Sequence, residues 1–268
     1  MKVLLLNNMK KLLPFVLLTC IAFASFAQIK VHSHNDYLQK RPLIGAYQAK
    51  TDQIEADIFL VGDSLIVAHS KKEIYLDHTL NKLYLNPIAL LFKQNNNKVS
   101  SDKKYTFSLM IDVKENWNFV YPVLKREIEK YDNVFNRAEN KYAIQVVISG
   151  ARPADSTFHT YPNWLFFDGL PNINYAKKDL KRVTMISDNF ASYSKWKGIG
   201  DIPKVDKQKL EKIVTQAKQL KKPMRFWGAP DTENSWVTQL SIGSIIINTD
   251  KVEQVKYFLT NFKLKNEF

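Results

Sequence analysis

Short apolar runs rich in β-branched residues alternate along the chain with longer stretches in which apolar residues recur at helical spacing. Eight of the short runs predict strands, over 29–33, 53–60, 106–113, 143–149, 164–168, 182–187, 224–229 and 244–248. The amphipathic stretches predict helices over 42–50, 79–93, 117–130, 173–180, 206–220, 232–240 and 251–261. An additional run, "DSLIVAHS", follows a turn at Gly62 and Asp63 and predicts a hairpin arm on the second strand.

Strands that alternate with helices predict a parallel sheet with helices packed on it. Eight such units in roughly 240 residues have the count and the length of a (β/α)8 TIM-type barrel. There is no linker rich in Gly, Ser or Pro and no internal repeat, so a single α/β domain is expected.

The first 27 residues predict a targeting segment. Lys10 and Lys11 precede an apolar run, and Ser25 and Ala27 supply small residues where a signal peptidase cleaves. We therefore expect a signal peptide over 1–27 and a mature domain over 28–268, exported to the periplasm, the cell surface or the medium. A retained anchor and lipidation at Cys20 are the alternatives. Since Cys20 is the single cysteine, the exported protein would contain no disulfide.

The formal net charge of +13 indicates attraction to anionic partners such as phosphate esters or lipid headgroups. The lysines are scattered through helical stretches, however, as in "KVDKQKLEKIVTQAKQLKK", which is also typical of a solvated surface. Peripheral membrane contact is compatible with this charge. Nucleic acid is not an expected partner, because no nucleic-acid recognition motif accompanies the charge.

Polar residues gather where the predicted strands end, which is the end at which TIM-type barrels carry their chemistry. They are His34 and Asn35, Glu55 and Asp57, His69, Asp112 and Lys114, Ser149, Asp168, Ser187, Trp227, and Asn248 with Asp250. A random scatter of polar residues would not favour one end of every strand.

Glu55 and Asp57 are two residues apart on a predicted strand, so both side chains leave the same face. Two carboxylates in one pocket repel each other unless a cation or a proton lies between them. With Asp112 as a third carboxylate, the hard oxygen donors predict a site for Ca2+ or Mg2+. The alternative is that the Glu55 and Asp57 face lies at a solvent-exposed edge of the sheet.

His32 and His34 form an H-x-H pair, which opens the zinc sites of several barrel hydrolases. Such sites need further histidines from later strands. The chain has five histidines and none after His159, so this alternative would lack ligands from the later strands.

The segment from His34 to His69, "HNDYLQKRPLIGAYQAKTDQIEADIFLVGDSLIVAH", resembles the opening of the phosphatidylinositol-specific phospholipase C-like phosphodiesterase superfamily. That superfamily includes glycerophosphodiester phosphodiesterases and the sphingomyelinase D type enzymes. Its outline is H-N or H-R after strand one, E-x-D on strand two, a histidine in an "IVAH"-like arm and an acidic-x-K pair on strand three. The stretches "SGARP", "RFWGAPD" and "IINTD" are similar to a branch that includes a fungal protein linked to mitochondrial inheritance.

The resemblance implies an exported, metal-dependent phosphoric diester hydrolase of the TIM-barrel type. It implies that His34 is the general base or nucleophile and His69 the general acid. It also implies that Glu55, Asp57 and Asp112 hold one divalent cation, with Asn35 as an additional oxygen ligand, and that Lys114 contacts the phosphate. Glycerophosphodiesterases have arginine after the first histidine and glutamate on strand three, whereas this chain has Asn35 and Asp112, so it departs from their pattern.

Three further residues are predicted to bind substrate because of their positions at strand ends. Trp227 would stack on a headgroup, Arg152 would contact the anion and Ser149 would line the pocket. The substrate would be a phospholipid headgroup or a soluble phosphodiester. A barrel that binds an anionic ligand or a glycan without cleaving it is the non-enzymatic alternative.

Overall fold

The computed structural model describes residues 28–266, and the predicted signal peptide, with Cys20, lies outside them. The strands are β1 Lys30–Ser33, β2 Gln53–Val61, β3 Ser64–Val67, β4 Ser108–Val113, β5 Gln145–Gly150, β6 Leu165–Gly169, β7 Val183–Asn189, β8 Met224–Trp227 and β9 Ile246–Thr249. The α-helices are α1 Ile44–Gln48, α2 Asn86–Gln94, α3 Trp117–Ile128, α4 Lys177–Leu180, α5 Lys204–Gln219, α6 Glu233–Ser241 and α7 Val252–Asn266.

Eight parallel strands close into a barrel. The hydrogen-bonded order is β1-β9-β8-β7-β6-β5-β4-β2, and β1 pairs with β2 to complete the ring. The ninth strand, β3, runs antiparallel to the outer half of β2, with Ile58 opposite Val67 and Val61 opposite Ser64. The predicted (β/α)8 barrel and its hairpin arm are both confirmed.

Side chains alternate between two environments along the strands. Ile54, Ala56 and Ile58 of β2 point outward into a large apolar layer between the strands and the helices. Met110, Val147, Met185 and Ile246 form a smaller apolar cluster on the opposite, inward face. The remaining inward positions are polar and buried, among them His32, Glu55 and Arg225. The barrel interior is thus apolar in one part and ionic in another.

The elements differ from the predicted ones mainly at their ends. Residues 173–176 are not helical, because Tyr175 packs against Phe158 and its hydroxyl accepts a hydrogen bond from the backbone of Leu170 at 2.8 Å. Strand β8 ends at Trp227 because Gly228 follows at a φ of 67°. The predicted helix over 79–93 begins with a π-helical turn over Asn81–Leu85. None of the helices between residues 28 and 266 is long and apolar enough to cross a membrane.

Candidate active site

The C-terminal ends of the strands surround an open cleft of about 380 Å³. Its lining comes from seven of the eight barrel strands or the loops that follow them: His34, Glu55, His69, Asp112, Lys114, Ser149, Gly150, Arg152, Asp168, Leu170, Ser187, Arg225 and Trp227. The structure therefore brings both predicted catalytic histidines to one cleft, together with every residue predicted to bind substrate.

Three carboxylates meet at this cleft. Glu55, Asp57 and Asp112 each offer one oxygen, and these oxygens all lie within 4.8 Å of one another. The strand register causes this, because Asp57 of β2 lies directly opposite Asp112 of β4. Asp112 is in turn opposite Ser149 of β5, whose hydroxyl donates to Asp112 Oδ2 at 2.9 Å.

Lys114 bridges two of these carboxylates. Its Nζ lies 2.8 Å from Asp57 Oδ2 and 3.0 Å from Asp112 Oδ1. Burial lowers the pKa of Lys114, but the charges of Asp112 and Asp57 outweigh burial, so that its pKa is raised and the ammonium is retained. Lys114 is therefore held by the acidic group itself.

The acidic group fits a divalent cation. Burial and the charge of Glu55 raise the pKa of Asp57 to about 6, in spite of Lys114. Asp57 Oδ1 is buried and has no hydrogen-bond partner among the described residues. A buried carboxylate oxygen without a donor, beside two further carboxylates, is the type of donor set that Ca2+ or Mg2+ binds.

Glu55 is fixed from inside the barrel. His32 Nε2 contacts Glu55 Oε2, and Arg225 Nη1 donates to the same oxygen at 3.2 Å. Burial raises the pKa of Glu55, but the hydrogen bond to His32 and the charge of Arg225 lower it by more, so the net shift of the pKa is downward. These contacts favour the ionised form of Glu55 and fix its carboxylate beside Asp57 and Asp112.

Arg225 is the centre of a buried network. The guanidinium donates to Ser187 Oγ at 2.9 Å, to Asp168 Oδ2 at 3.1 Å and to Asn248 Oδ1 at 3.3 Å. These partners come from three strands besides β8. A buried guanidinium with a full set of acceptors fixes its neighbours, because removing any acceptor leaves an uncompensated charge.

The surroundings of His32 argue against the H-x-H zinc alternative. Its Nδ1 lies 2.9 Å from Gln53 Oε1, and its Nε2 lies 2.8 Å from the Arg225 guanidinium as well as against Glu55. Both ring nitrogens are therefore engaged inside the barrel. Burial and the charge of Arg225 lower the pKa of His32, and a metal dication beside Arg225 would be repelled.

His34 is held by the end of the last strand. Its backbone N–H donates to Thr249 O at 3.0 Å, and its Nδ1 lies 2.8 Å from Asp250 Oδ1. Burial lowers the pKa of His34, but the hydrogen bond to Asp250 and the charge of Glu55 outweigh burial, so its pKa is raised. The side-chain amide nitrogen of Asn35 also lies 3.0 Å from His34 Nδ1.

His69 follows the hairpin arm, where the backbone N–H of Ala68 donates to Asp57 O at 3.2 Å. Its Nδ1 lies 3.3 Å from the hydroxyl of Tyr37 and 3.6 Å from Asp57 Oδ2. The Tyr37 hydroxyl is also 2.9 Å from Asp57 Oδ2 and 3.0 Å from Asn35 Oδ1. The Tyr37 hydroxyl thus links Asn35 Oδ1, which was predicted to be a cation ligand, to Asp57 of the acidic group.

The residues predicted to bind substrate differ in their contacts. Trp227 is exposed at the cleft rim. Arg152 Nη2 donates to Asp155 at 3.2 Å, while its Nε is buried without a partner among the described residues. The hydroxyl of Ser149 is used by Asp112, so Ser149 orients a carboxylate as well as lining the cleft.

Sequence reasoning missed Tyr37 altogether and gave Asp250 no role beyond its position at a strand end. Tyr37 was visible in "SHNDYL", but only the 3-10 turn over Asp36–Leu38 brings its hydroxyl back to Asp57. Asp250 is 216 residues from His34 in sequence, so only the closure of β9 on β1 makes them neighbours.

Comparison with known proteins agrees with the sequence motifs. A family model described as the AIM6-like phosphodiesterase domain matches residues 22–168, more than half of the chain. Altered inheritance of mitochondria protein 6 homolog from Arthroderma benhamiae is 28% identical over 269 residues, which cover 86% of this chain and 84% of that protein. Altered inheritance of mitochondria protein 6 from Eremothecium gossypii is 24% identical over 284 residues, covering 85% of this chain and 69% of that protein.

Two solved structures share the fold. A glycerophosphodiester phosphodiesterase from Parabacteroides distasonis superposes with a TM-score of 0.57 at 15% identity, over 88% of this chain and 100% of that one. A putative glycerophosphoryl diester phosphodiesterase from Agrobacterium tumefaciens gives a TM-score of 0.51 at 9% identity, over 89% of this chain and 100% of that one. At these identities the likeness concerns the barrel and its connectivity.

Proposed function

Because the chain belongs to the AIM6-like phosphodiesterase domain family, and so to the phosphoric diester hydrolases, we propose that it cleaves its substrate with one divalent cation and two histidines. The cation would be Ca2+ or Mg2+, held by Glu55, Asp57 and Asp112 with Asn35 nearby. When bound, it would neutralise charge on the phosphoryl oxygens. The histidines would be His34 and His69, one for each of the two proton transfers.

His34 is suited to the role of general base. The contact with Asp250 orients its ring and makes the imidazole more basic, as a carboxylate partner does in other acid-base sites. A proton removed from an attacking water or substrate hydroxyl would be stabilised on His34 by that carboxylate. The attacking oxygen would then bond to phosphorus while the ester bond to the leaving oxygen breaks.

His69 is suited to donate a proton to that leaving oxygen. Tyr37 and Asp57 lie on the Nδ1 side of its ring, so its Nε2 is the nitrogen available to substrate. Lys114 and Arg152 add positive charge at the same cleft, where they would hold the remaining phosphoryl oxygens.

One observation carries the proposal: three carboxylate oxygens lie within 4.8 Å of one another beside both histidines. Glu55 and Asp112 line the cleft, and the third residue, Asp57, has a buried oxygen without a hydrogen-bond partner among the described residues. A barrel that only binds an anion has no need for clustered carboxylates, since they repel the ligand.

Hydrolysis of bis(p-nitrophenyl) phosphate by the purified protein tests this function. We expect product release with Ca2+ or Mg2+, loss of activity with a chelator and recovery on adding the cation back. His34→Ala should lower this rate by about a hundredfold or more. His69→Ala should cause a loss of that size only for a diester with an alkyl leaving group, because p-nitrophenolate leaves without protonation. His78→Asn, a histidine outside the cleft, is the matched control and should retain full activity.

Full activity in His34→Ala, or activity that survives the chelator, would overturn the proposed mechanism. The physiological diester is addressed with a panel of phosphoinositides, lysophospholipids and glycerophosphodiesters. Phosphorus NMR of the product distinguishes a cyclic phosphate from a hydrolysed monoester, and so a substrate hydroxyl from water as the attacking group.

Export of the protein is part of the proposal, supported by the pattern of residues 1–27. Fractionation of the producing cell, with the N-terminus of the recovered protein sequenced, tests it. We expect a chain that begins at Gln28, and a cytoplasmic protein that retains Met1 would contradict export.

A further inference from the structure

Large apolar side chains that remain exposed are unevenly distributed over the molecule. Of the eleven among the described residues, six lie on β8 or in loops that follow strand C-terminal ends: Leu38, Tyr75, Leu76, Leu170, Ile199 and Trp227. The other five lie on the outer helices. Within residues 28–266, none lies in a loop at the N-terminal end of the barrel. Scattered exposed apolar residues are ordinary, but here those outside the helices are confined to one end of the barrel.

We call these six residues the apolar rim. Leu38, Leu170, Ile199 and Trp227 lie at or after the ends of parallel barrel strands, and Tyr75 and Leu76 follow His69, which lines the cleft. In a closed parallel barrel, the loops that follow the strands all emerge around the same opening. Leu170 and Trp227 line the cleft itself. Leu38 directly follows Tyr37, whose hydroxyl contacts Asp57, so this loop also belongs to the site. The rim is therefore the surface that any large substrate meets first.

Each of the most exposed rim residues has a cation nearby in sequence. Lys40 follows Leu38 by two residues, Lys72 precedes Tyr75 by three, and Lys197 precedes Ile199 by two. An apolar tip beside a cation fits the boundary of a phospholipid layer, where the apolar side chain enters the acyl region and the cation meets phosphate. Tryptophan, as at Trp227, also prefers this boundary.

We propose that the apolar rim docks the protein onto a phospholipid bilayer that carries anionic headgroups, with the cleft facing the lipid. The rim residues lie on separate loops rather than in one groove or on one helix face. A fluid bilayer can receive separate projecting side chains, whereas a protein partner would need a complementary surface. The inference rests on the proposed function only in that docking would bring lipid phosphodiesters to the cleft.

Sedimentation with vesicles of phosphatidylcholine and phosphatidylglycerol in equal parts tests the docking surface. The variant carries Leu38→Ser, Leu76→Ser and Ile199→Ser, whose side chains are 62%, 66% and 83% exposed. The matched control carries Leu90→Ser, Val237→Ser and Tyr257→Ser on the outer helices. We expect the vesicle affinity of the rim variant to fall by about tenfold or more, because the three substitutions remove apolar area that the bilayer would bury. The control should bind within about twofold of the original protein, because its changed side chains lie outside the proposed rim.

Three results would overturn the proposal. They are no binding of the original protein to these vesicles, equal loss in the rim variant and its control, and a rim variant that changes the oligomeric state in light scattering. A third variant tests the opposite end of the barrel, where Lys218, Lys221 and Lys222 line a separate pocket. If changing those three lysines to Glu abolishes binding while the rim variant still binds, the protein docks by its other end.

Two further measurements separate docking from folding and from catalysis. Thermal unfolding checks that the rim variant is folded, and Ile199→Ser alone, at the most exposed rim position, repeats the test with a single change. Hydrolysis of a soluble diester should be unchanged in a variant that carries only Leu76→Ser and Ile199→Ser, which leaves the loop of Tyr37 intact. Vesicle binding without any diester hydrolysis would contradict the proposed function and leave the docking surface standing.

Discussion

Tyr37 shows how one hydroxyl can connect the parts of the site. It lies within hydrogen-bonding distance of Asp57, Asn35 and His69, and so joins the acidic group to the proposed general acid. A hydroxyl has one proton to donate, so Tyr37 can donate to one oxygen while it accepts from His69 Nδ1. That arrangement holds the Nδ1–H of His69 and directs Nε2 to the cleft, so that the doubly protonated ring would present its second proton to the leaving oxygen.

Tyr37→Phe should therefore weaken proton donation rather than binding. We expect kcat/KM for a diester with an alkyl leaving group to fall by about tenfold to a hundredfold, because such a group needs the proton. Hydrolysis of bis(p-nitrophenyl) phosphate should change much less, since p-nitrophenolate leaves without protonation. Tyr47→Phe, whose hydroxyl donates to Val99 O away from the cleft, is the control. Equal losses for both substrates would mean that Tyr37 serves only packing.

Asp250 determines the pH range in which His34 can act. The contact with Asp250 helps to raise the pKa of His34, and a general base works only when it is neutral, so activity should rise with pH through a value above the ordinary 6.5. In Asp250→Asn, we expect the acidic limb of the kcat/KM profile to move to lower pH and the plateau to fall. A profile of unchanged position measured over pH 5 to 9 would show that Asp250 does not act through His34.

At the residue scale, the sequence was informative where chemistry is local. The E-x-D spacing on one strand predicted that Glu55 and Asp57 share a face, and strand alternation is enough to establish that. The partners of these residues were not predictable. Arg225 joins His32 to Asp168 and Ser187, and these contacts depend on strand tilt and side-chain rotamers that no spacing rule contains.

Among the elements, β4 and β5 form the wall against which Asp112 is placed. The strand-end residue Gly150 has a φ of 70°, and a Cβ at that position would lie 2.6 Å from Asp112 Oδ1. Only a residue without a side chain allows the backbone of β5 to come this close to the carboxylate. The glycine thus helps to set the position of a proposed cation ligand.

Gly150→Ala should destabilise the fold by about 1–3 kcal/mol through backbone strain and also weaken cation binding through the displaced carboxylate. Gly200→Ala is a matched control, because Gly200 also has a positive φ, of 61°, but no atom lies within 4 Å of its added Cβ. It should show the strain in denaturant unfolding without a change in cation affinity measured by calorimetry. Equal affinities in the two variants would contradict the placement of Asp112.

The elements were more predictable than their ends. All eight barrel strands and the hairpin arm were visible, since each is a short apolar run bounded by turn residues. The predicted helix over 173–180 was too long because Tyr175, an aromatic residue with acceptable helix propensity, is used for a tertiary contact with Phe158. Tertiary packing of this kind overrides local preference and is not encoded in periodicity.

For the whole molecule, the acidic group links stability to pH and to cation binding. The pKa of Asp57 is raised to about 6 from an ordinary 3.8, so the folded protein holds this proton more tightly than the unfolded chain does. The stability that this proton contributes is fully present below pH 3.8 and is lost as pH rises through 6. At neutral pH without a cation, the ionised Asp57 therefore opposes folding, and a bound cation would restore the loss.

Asp57→Asn should separate these two effects. With a chelator present at pH 7, we expect the variant to be more stable than the original protein by on the order of 2 kcal/mol, and this difference should vanish near pH 4. With Ca2+ or Mg2+ at a hundred times its dissociation constant, the original protein should gain about 2.7 kcal/mol and the variant nothing. Asp63→Asn, at the exposed hairpin tip, is the control and should keep the cation response.

Urea unfolding at the two pH values, with and without cation, measures all four quantities. A variant less stable than the original protein in chelator at pH 7 would mean that the bond to Lys114 outweighs the burial of the charge, and that the site is held together without a metal.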